Sequence, residues 1–170
     1  MENRTSTKLQ AKEIIKNRKK LDSEIMKLWK ELRNDAGSHK NFMPLYNDIM
    51  RLQNKRVVIK GMLMYLNENR KTFDYESFKN TNNYSIFAAC ESKEAIAQLK
   101  LISGSLMLNA KDGDSNAREE RAMTCELLAS LIESRQKEAD DYDTAMERFN
   151  KDTYLDVNNL CGDFSVEFLT

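Results

Sequence analysis

The ten residues 57–66, VVIKGMLMYL, set the tightest limit on what this chain can fold into. They lie within a longer helical pattern, and Val57, Val58, Ile59, Met62, Leu63, Met64, Tyr65 and Leu66 leave almost no face of that helix fit for water. A helix apolar nearly all round is buried nearly all round. Two arrangements satisfy it in a chain of 170 residues, a length that makes one domain, or one domain and a fragment. Either this is the central helix of a five-helix fold, or a partner covers its second face. The second arrangement is preferred, and it makes the protein an obligate subunit.

The flanking sequence is helical too. Ile14, Leu21, Ile25, Leu28 and Leu32 fall on one stripe with Trp29 beside it, which predicts a first helix over 6–34. NDAGSHKN, with Gly37, stops it. The second helix is expected from Pro44 to about residue 73, where Leu45, Ile49, Leu52, Ile59, Leu63, Leu66 and Phe73 step by threes and fours. Arg56 and Arg70 occupy the two missing positions of that seam. ESFKNTNNYS reads as a polar break, followed by a helix from Ser85 or Ser92 to Ala110 carrying Ile96, Leu99, Ile102 and Leu106. KDGDSN is a turn in which Asp114, Ser115 or Asn116 accepts from the first N–H groups of a last helix, Arg118 to about Asn150. Cys125, Leu128, Ile132, Ala139, Tyr142, Met146 and Phe149 keep helical spacing along it.

Beyond that helix the period changes. Leu155 and Val157, then Phe164, Val166 and Phe168, alternate with Asp156, Asp163, Ser165 and Glu167, the pattern of a half-buried strand. The expected fold class is therefore mainly α. A bundle of four to five helices over 1–150 leads into a short β-hairpin over 151–170, the start of an incomplete small β domain. A two-stranded hairpin is marginal by itself, so this segment borrows a sheet or begins a domain cut short.

Composition removes several functions. Lys and Arg number 27 and so do Asp and Glu, so no global positive field gathers nucleic acid or an anionic membrane. Little or no direct DNA binding is expected. Cys90, Cys125 and Cys161 are odd in number and widely spaced, and His39 is the single histidine; this fits neither a disulfide framework nor a zinc site and suggests thiols in a reducing compartment. No apolar run approaches the roughly 20 residues of a spanning helix, and MENRTSTKLQAKE is no signal peptide. An intracellular, soluble protein is expected.

No motif brings an enzyme class with it. Asp112, Asp114 and Asn116 sit at positions one, three and five of a calcium loop, but Ala117 replaces the glycine and Met123 the glutamate. A helix-capping turn explains them better. His39 has no nucleophile, metal-ligand set or phosphate loop around it and reads as a solvated loop residue. Cys90 and Cys125 lie among apolar helical residues, where packing accounts for them. KNRKK (16–20) reads as the exposed basic side of a helix, since Asp22 and Glu24 follow at once. No catalytic, cofactor-binding or metal-binding residue is expected.

Arg56 is the more informative charge. In an apolar stripe its guanidinium is costly unless a carboxylate or carbonyls meet it. It either snorkels to the edge of its own bundle or pairs with an acid on another subunit and fixes register.

MRLQNKRVVIKGMLMYLNENRKTFDYES (50–77), with Leu52, Asn54, Lys55, Arg56, Ile59, Leu66 and Arg70, resembles the helix that marks the Psf-one family of subunits of GINS, the four-protein replication complex. DTYLDVNNLCGDFSVEF (152–168) is similar to the first strands of the small β domain that ends that family, through Tyr154, Leu155, Asp156, Val157, Gly162, Asp163, Phe164 and Val166. The two stretches occur in the family's order and, with the acidic-then-apolar run NAREERAMTCELLASLIESRQ, cover about half of the chain. It departs from the family pattern at Lys60-Gly61, where an Ala-Tyr pair is usual, in a longer 76–116 segment, and in lacking prolines before the β segment.

The resemblance implies a nuclear, non-catalytic structural subunit. Its partners would be the other three GINS subunits in a heterotetramer, and the MCM helicase ring and Cdc-forty-five protein in the replicative helicase. The β domain would help engage the Cdc-forty-five protein and tether DNA polymerase epsilon; no membrane is involved. Leu52, Asn54, Lys55, Arg56, Ile59, Leu63, Leu66, Arg70, Tyr154, Leu155, Val157, Phe164 and Val166 would form the partner interface. The rival reading is a generic coiled-coil or spectrin-like helical adaptor without a replication role, motivated by the seven-residue spacings of the first and last helices.

Overall fold

A computed structural model describes residues 9–36, 39–108 and 115–153. Five helices follow in order: α1 (Ala11–Asn34), α2 (His39–Asn67), α3 (Tyr75–Lys79), α4 (Asn82–Leu108) and α5 (Ser115–Asp152). They form a helical bundle of two antiparallel hairpins, α1/α2 and α4/α5, packed against each other. Trp29 beside Tyr46 and Asp22 beside Arg56 fix the direction of the first hairpin; Ser92 with Glu138 and Lys93 with Asp143 link the helices of the second.

The core lies where the two hairpins meet. Ile25, Trp29 and Leu32 of α1, Phe42, Tyr46 and Ile49 of α2, Leu99 and Ile102 of α4 and Leu128 of α5 are all buried in one cluster. Fully burying a side chain of this size contributes about 1.5–3 kcal/mol, so this seam holds the hairpins together. A smaller aromatic cluster of Val57, Tyr65 and Phe78, with Phe73, Tyr84 and Phe87 against it, closes the far end of α2.

Helix α1 starts at Ala11, later than expected, with Gln10 and Glu13 forming a capping box. Helix α2 starts one turn before Pro44, which sits inside its second turn. The helix stops at Asn67, short of residue 73, and its end is a Schellman motif. Asn69 takes the left-handed conformation (φ 56°), while the N–H of Arg70 donates to the Tyr65 carbonyl and that of Asn69 to the Leu66 carbonyl. Asparagine tolerates this conformation better than most residues. The chain then turns back early enough for a further helix.

That helix, α3, replaces part of the expected polar break. Asp74 caps it by accepting from the Ser77 N–H at 2.9 Å and the Ser77 hydroxyl at 2.7 Å. Thr81 bridges into α4, donating to the Phe78 carbonyl at 2.7 Å and accepting from the Tyr84 N–H at 3.2 Å. The helix α4 therefore begins at Asn82, before Ser85 or Ser92.

Helix α2 is the central helix, packed on α1, α4 and α5. Phe78 of α3 covers its Gly61 face. This internal cover is limited to the Gly61 side, where the five-residue α3 supplies Phe78; the expectation of an outside partner concerns the rest of the second face of 57–66. Val58, Ile59, Met62, Leu63 and Met64 stay half-buried, and Leu66 is exposed. The expected hairpin falls on residues 154–170, outside the described residues; among the described residues there is no strand, and α5 continues to Asp152.

Candidate functional site

Three helices each bring a pair of charged residues, three or four positions apart, to one point beside the core. Helix α1 contributes Arg18 and Asp22, α2 contributes Arg56 and Lys60, and α4 contributes Glu91 and Glu94. Such spacings put both members of a pair on the same helix face. Three cations meet three carboxylates, so the cluster is balanced.

Arg56 is its hub. The guanidinium Nε donates to both Glu91 oxygens at 2.9 and 3.0 Å, Nη1 donates to Asp22 Oδ1 at 3.2 Å, and Nη2 donates to Glu91 and Glu94. Lys60 Nζ reaches Glu91 Oε1 at 2.8 Å, and Arg18 Nε lies 3.8 Å from Asp22. Arg56 and Glu91 are only 8% and 5% exposed. Burial works against the guanidinium charge, but the Glu91 hydrogen bond and the charges of Glu91 and Glu94, with Asp22, more than offset it and hold the group above its ordinary range. The acid expected on another subunit is thus supplied by the same chain, and Arg56 does not snorkel.

A polar cleft of about 220 Å³ lies behind Glu91, between α2, α4 and α5. Arg135 spans it, with Nε donating to Tyr46 Oη at 2.8 Å and Nη1 to Glu138 Oε2 at 2.5 Å; Ser92 Oγ donates to the same Glu138 oxygen at 2.9 Å. Gln53 is buried against this cleft, and its Nε2 has no protein acceptor. Tyr84 and Tyr142 close the mouth with rings 6.3 Å apart and nearly perpendicular. Burial, then the neighbouring Tyr142 and Tyr75, pushes the Tyr84 hydroxyl up to about 12.

This gives a pH prediction. Tyr84 ionises at about 12 in the folded chain against about 10 unfolded. Its contribution to stability is therefore complete below pH 10 and is lost as pH rises from 10 to 12. Chemical denaturation across that window should show the wild type losing stability faster than Tyr84→Phe. Parallel curves would show that Tyr84 titrates as a solvated phenol.

Of the residues expected to form the partner interface, the eight that the structure describes differ in exposure. Leu52 is in the core and Arg56 in the ion cluster; Asn54, Lys55, Leu66 and Arg70 are exposed, while Ile59 and Leu63 are half-buried. Arg70 folds back at 4.6 Å over the Tyr65 ring and pairs with Glu68 at 2.8 Å. Tyr154, Leu155, Val157, Phe164 and Val166 lie outside the described residues. His39, expected in a solvated loop, is the first residue of α2, and its Nδ1 is buried without a hydrogen-bond partner. Cys90 is exposed rather than packed, Cys125 is half-buried, and Cys161 is beyond the described segment. Of the turn with calcium-loop spacing, 111–114 also lie outside it, while Ser115 and Asn116 already belong to α5.

Asp22, Glu91 and Glu94 escaped the sequence reading. The one available signal is the spacing Glu91-x-x-Glu94, opposite in sign to the Arg56/Lys60 pair and close to it in reach. Among the described residues no cluster of His, Cys, Asp and Glu could hold a metal ion, and no helix is long and apolar enough to cross a membrane.

Apolar exposure concentrates on α4. Its inner face, with Ala95, Leu99, Ile102 and Leu106, is buried. Its outer face runs Ile86, Cys90, Ala97, Leu101 and Leu108, with Leu101 58% and Leu108 88% exposed and Met107 beside them at 65%. A methyl group built on Gly104 of this helix would meet nothing. The chain matches no family model, no curated protein and no solved structure.

Proposed function

We propose that this chain is a non-catalytic subunit of the GINS type, built to be covered by other subunits. The observation that carries the assembly part is the outer stripe of α4. Leu101, Met107 and Leu108 expose apolar surface near the end of a helix whose other face is already core, and large apolar side chains exposed together favour a protein contact. The family part rests on the resemblance carried by Leu52, Asn54, Lys55, Arg56 and Arg70 and by the strand pattern of 154–168. In that role the helical bundle joins three other subunits in a heterotetramer, and the complex joins the MCM ring and the Cdc-forty-five protein in the nucleus. The C-terminal segment contributes to contacts with the Cdc-forty-five protein and DNA polymerase epsilon. The balanced charge fits little or no direct DNA contact.

Co-expression with the other three GINS subunits of the same organism should give a stoichiometric complex. Leu101→Glu with Leu108→Glu should leave the isolated chain folded, since exposed substitutions shift stability by only about 0.5 kcal/mol. It should also weaken assembly at least tenfold, because each glutamate would put an unpaired carboxylate where an apolar contact is buried. A complex that forms equally well with both glutamates would remove α4 from the interface, and a chain indifferent to all three subunits would end the GINS reading.

The adaptor reading draws on α5, a 38-residue helix with only Thr124, Leu128 and Ala139 buried. It predicts self-association that survives deletion of residues 152–170.

A further inference from the structure

A groove of about 650 Å³ opens where the last turns of α2 meet the start of α4. Leu63 and Met64 form one wall, and Ile86, Phe87 and Cys90 the other. Arg18 and Lys60 stand on its rim, with Glu68 near its end. Lys16, Lys19 and Lys20 are exposed on the same stretch of α1 as Arg18, so the surroundings are basic. Lys60 is drawn toward Glu91, and Glu68 is paired with Arg70. Among the described residues, Arg18 is held by a 3.8 Å contact to Asp22.

We infer that this groove receives residues 154–170 of the same chain. Three observations carry the assignment. The first is charge: the segment has Asp156, Asp163 and Glu167 and no lysine or arginine, which complements the basic side of the groove. The second is pattern: Leu155 with Val157, and Phe164 with Val166, each recur at alternate positions, so each of these two short runs, taken as extended chain, offers an apolar edge of its own to Leu63, Met64, Ile86 and Phe87. The third is reach. α5 runs antiparallel to α4, held at Ser92–Glu138 and Lys93–Asp143, so it ends at the end of the bundle where α4 begins and the groove opens. A helix is about 10 Å across, whereas 17 residues can extend about 55 Å. A segment attached there sits at high effective concentration and needs no second molecule.

This inference stands apart from the assembly reading, because it concerns the isolated chain. Cys90 on the groove wall and Cys161 within the segment supply the test. In the full chain carrying Cys125→Ser, a short bismaleimide linker at low protein concentration should join Cys90 to Cys161 within one molecule, identified by peptide mass spectrometry. Replacing Phe164 and Val166 together by serine should cut that product severalfold and speed alkylation of Cys90 severalfold, without changing helix content. High salt should act in the same direction by screening the acidic residues. Links only between molecules, rising with protein concentration, would assign the groove to a second copy and overturn the inference. An alkylation rate of Cys90 that is the same in both proteins would overturn it as well.

Discussion

Arg56→Ala should destabilise the isolated chain by about 3–5 kcal/mol, the usual cost of removing one partner from a buried ion pair. The measurement is chemical denaturation of the protein alone, with no partner present. The size follows from what remains. Glu91, 5% exposed, would keep only Lys60 as a cation, and Glu94 and Asp22 would lose the guanidinium that separates them. Arginine suits this hub because its planar fork donates to several carboxylates at once. Arg56→Lys should therefore recover only part of the loss. Replacing both members, Arg56→Met with Glu91→Leu, should recover more than Arg56→Lys, because no buried charge is then left without its main partner. A loss below about 1 kcal/mol for Arg56→Ala would mean that water enters the cluster freely and that the pairing has little net worth. Loss seen only in an assembled complex would return Arg56 to the interface between subunits.

Arg56 also shows where sequence reading reached its limit. An arginine in an apolar stripe announces that something must neutralise it. The sequence identified the problem without locating its solution. Glu91 and Glu94 lie on another helix, in a run, CESKEA, that looks like ordinary solvated surface. Only the packing of α4 across α2 turns them inward. The helices with one clear stripe, α1 and α5, were legible because amphipathic spacing depends on local sequence alone. Helix α4 was harder at its start, where Thr81 provides the cap and NNYS carries little apolar signal. Its outer stripe was hidden because Leu101 and Leu108 were indistinguishable from core residues until the helix was placed. Helix α3 was missed because five residues are too few to show a period, and Phe78 stood alone among polar neighbours.

Phe78 gives the second large effect, with its sign set by Gly61. The ring is fully buried and rests on the α2 backbone at the glycine. A methyl group at position 61 would stand 2.5, 2.6 and 2.8 Å from three ring carbons, closer than carbon atoms can approach. Inside an ordinary helix, glycine to alanine gains about 1 kcal/mol from propensity. Here Gly61→Ala should instead lose about 1–3 kcal/mol, because the ring is hemmed in by Tyr65, Phe73, Tyr84 and Phe87 and cannot withdraw without repacking them. Phe78→Ala should cost more, about 3–5 kcal/mol, by emptying the centre of that cluster. In the Phe78→Ala background the glycine has no ring above it. Gly61→Ala should then stabilise the chain, through helix propensity and by filling part of the cavity. Denaturation of the four proteins of this cycle decides the matter. A substitution at 61 with the same sign in both backgrounds would show that the ring does not sit on α2.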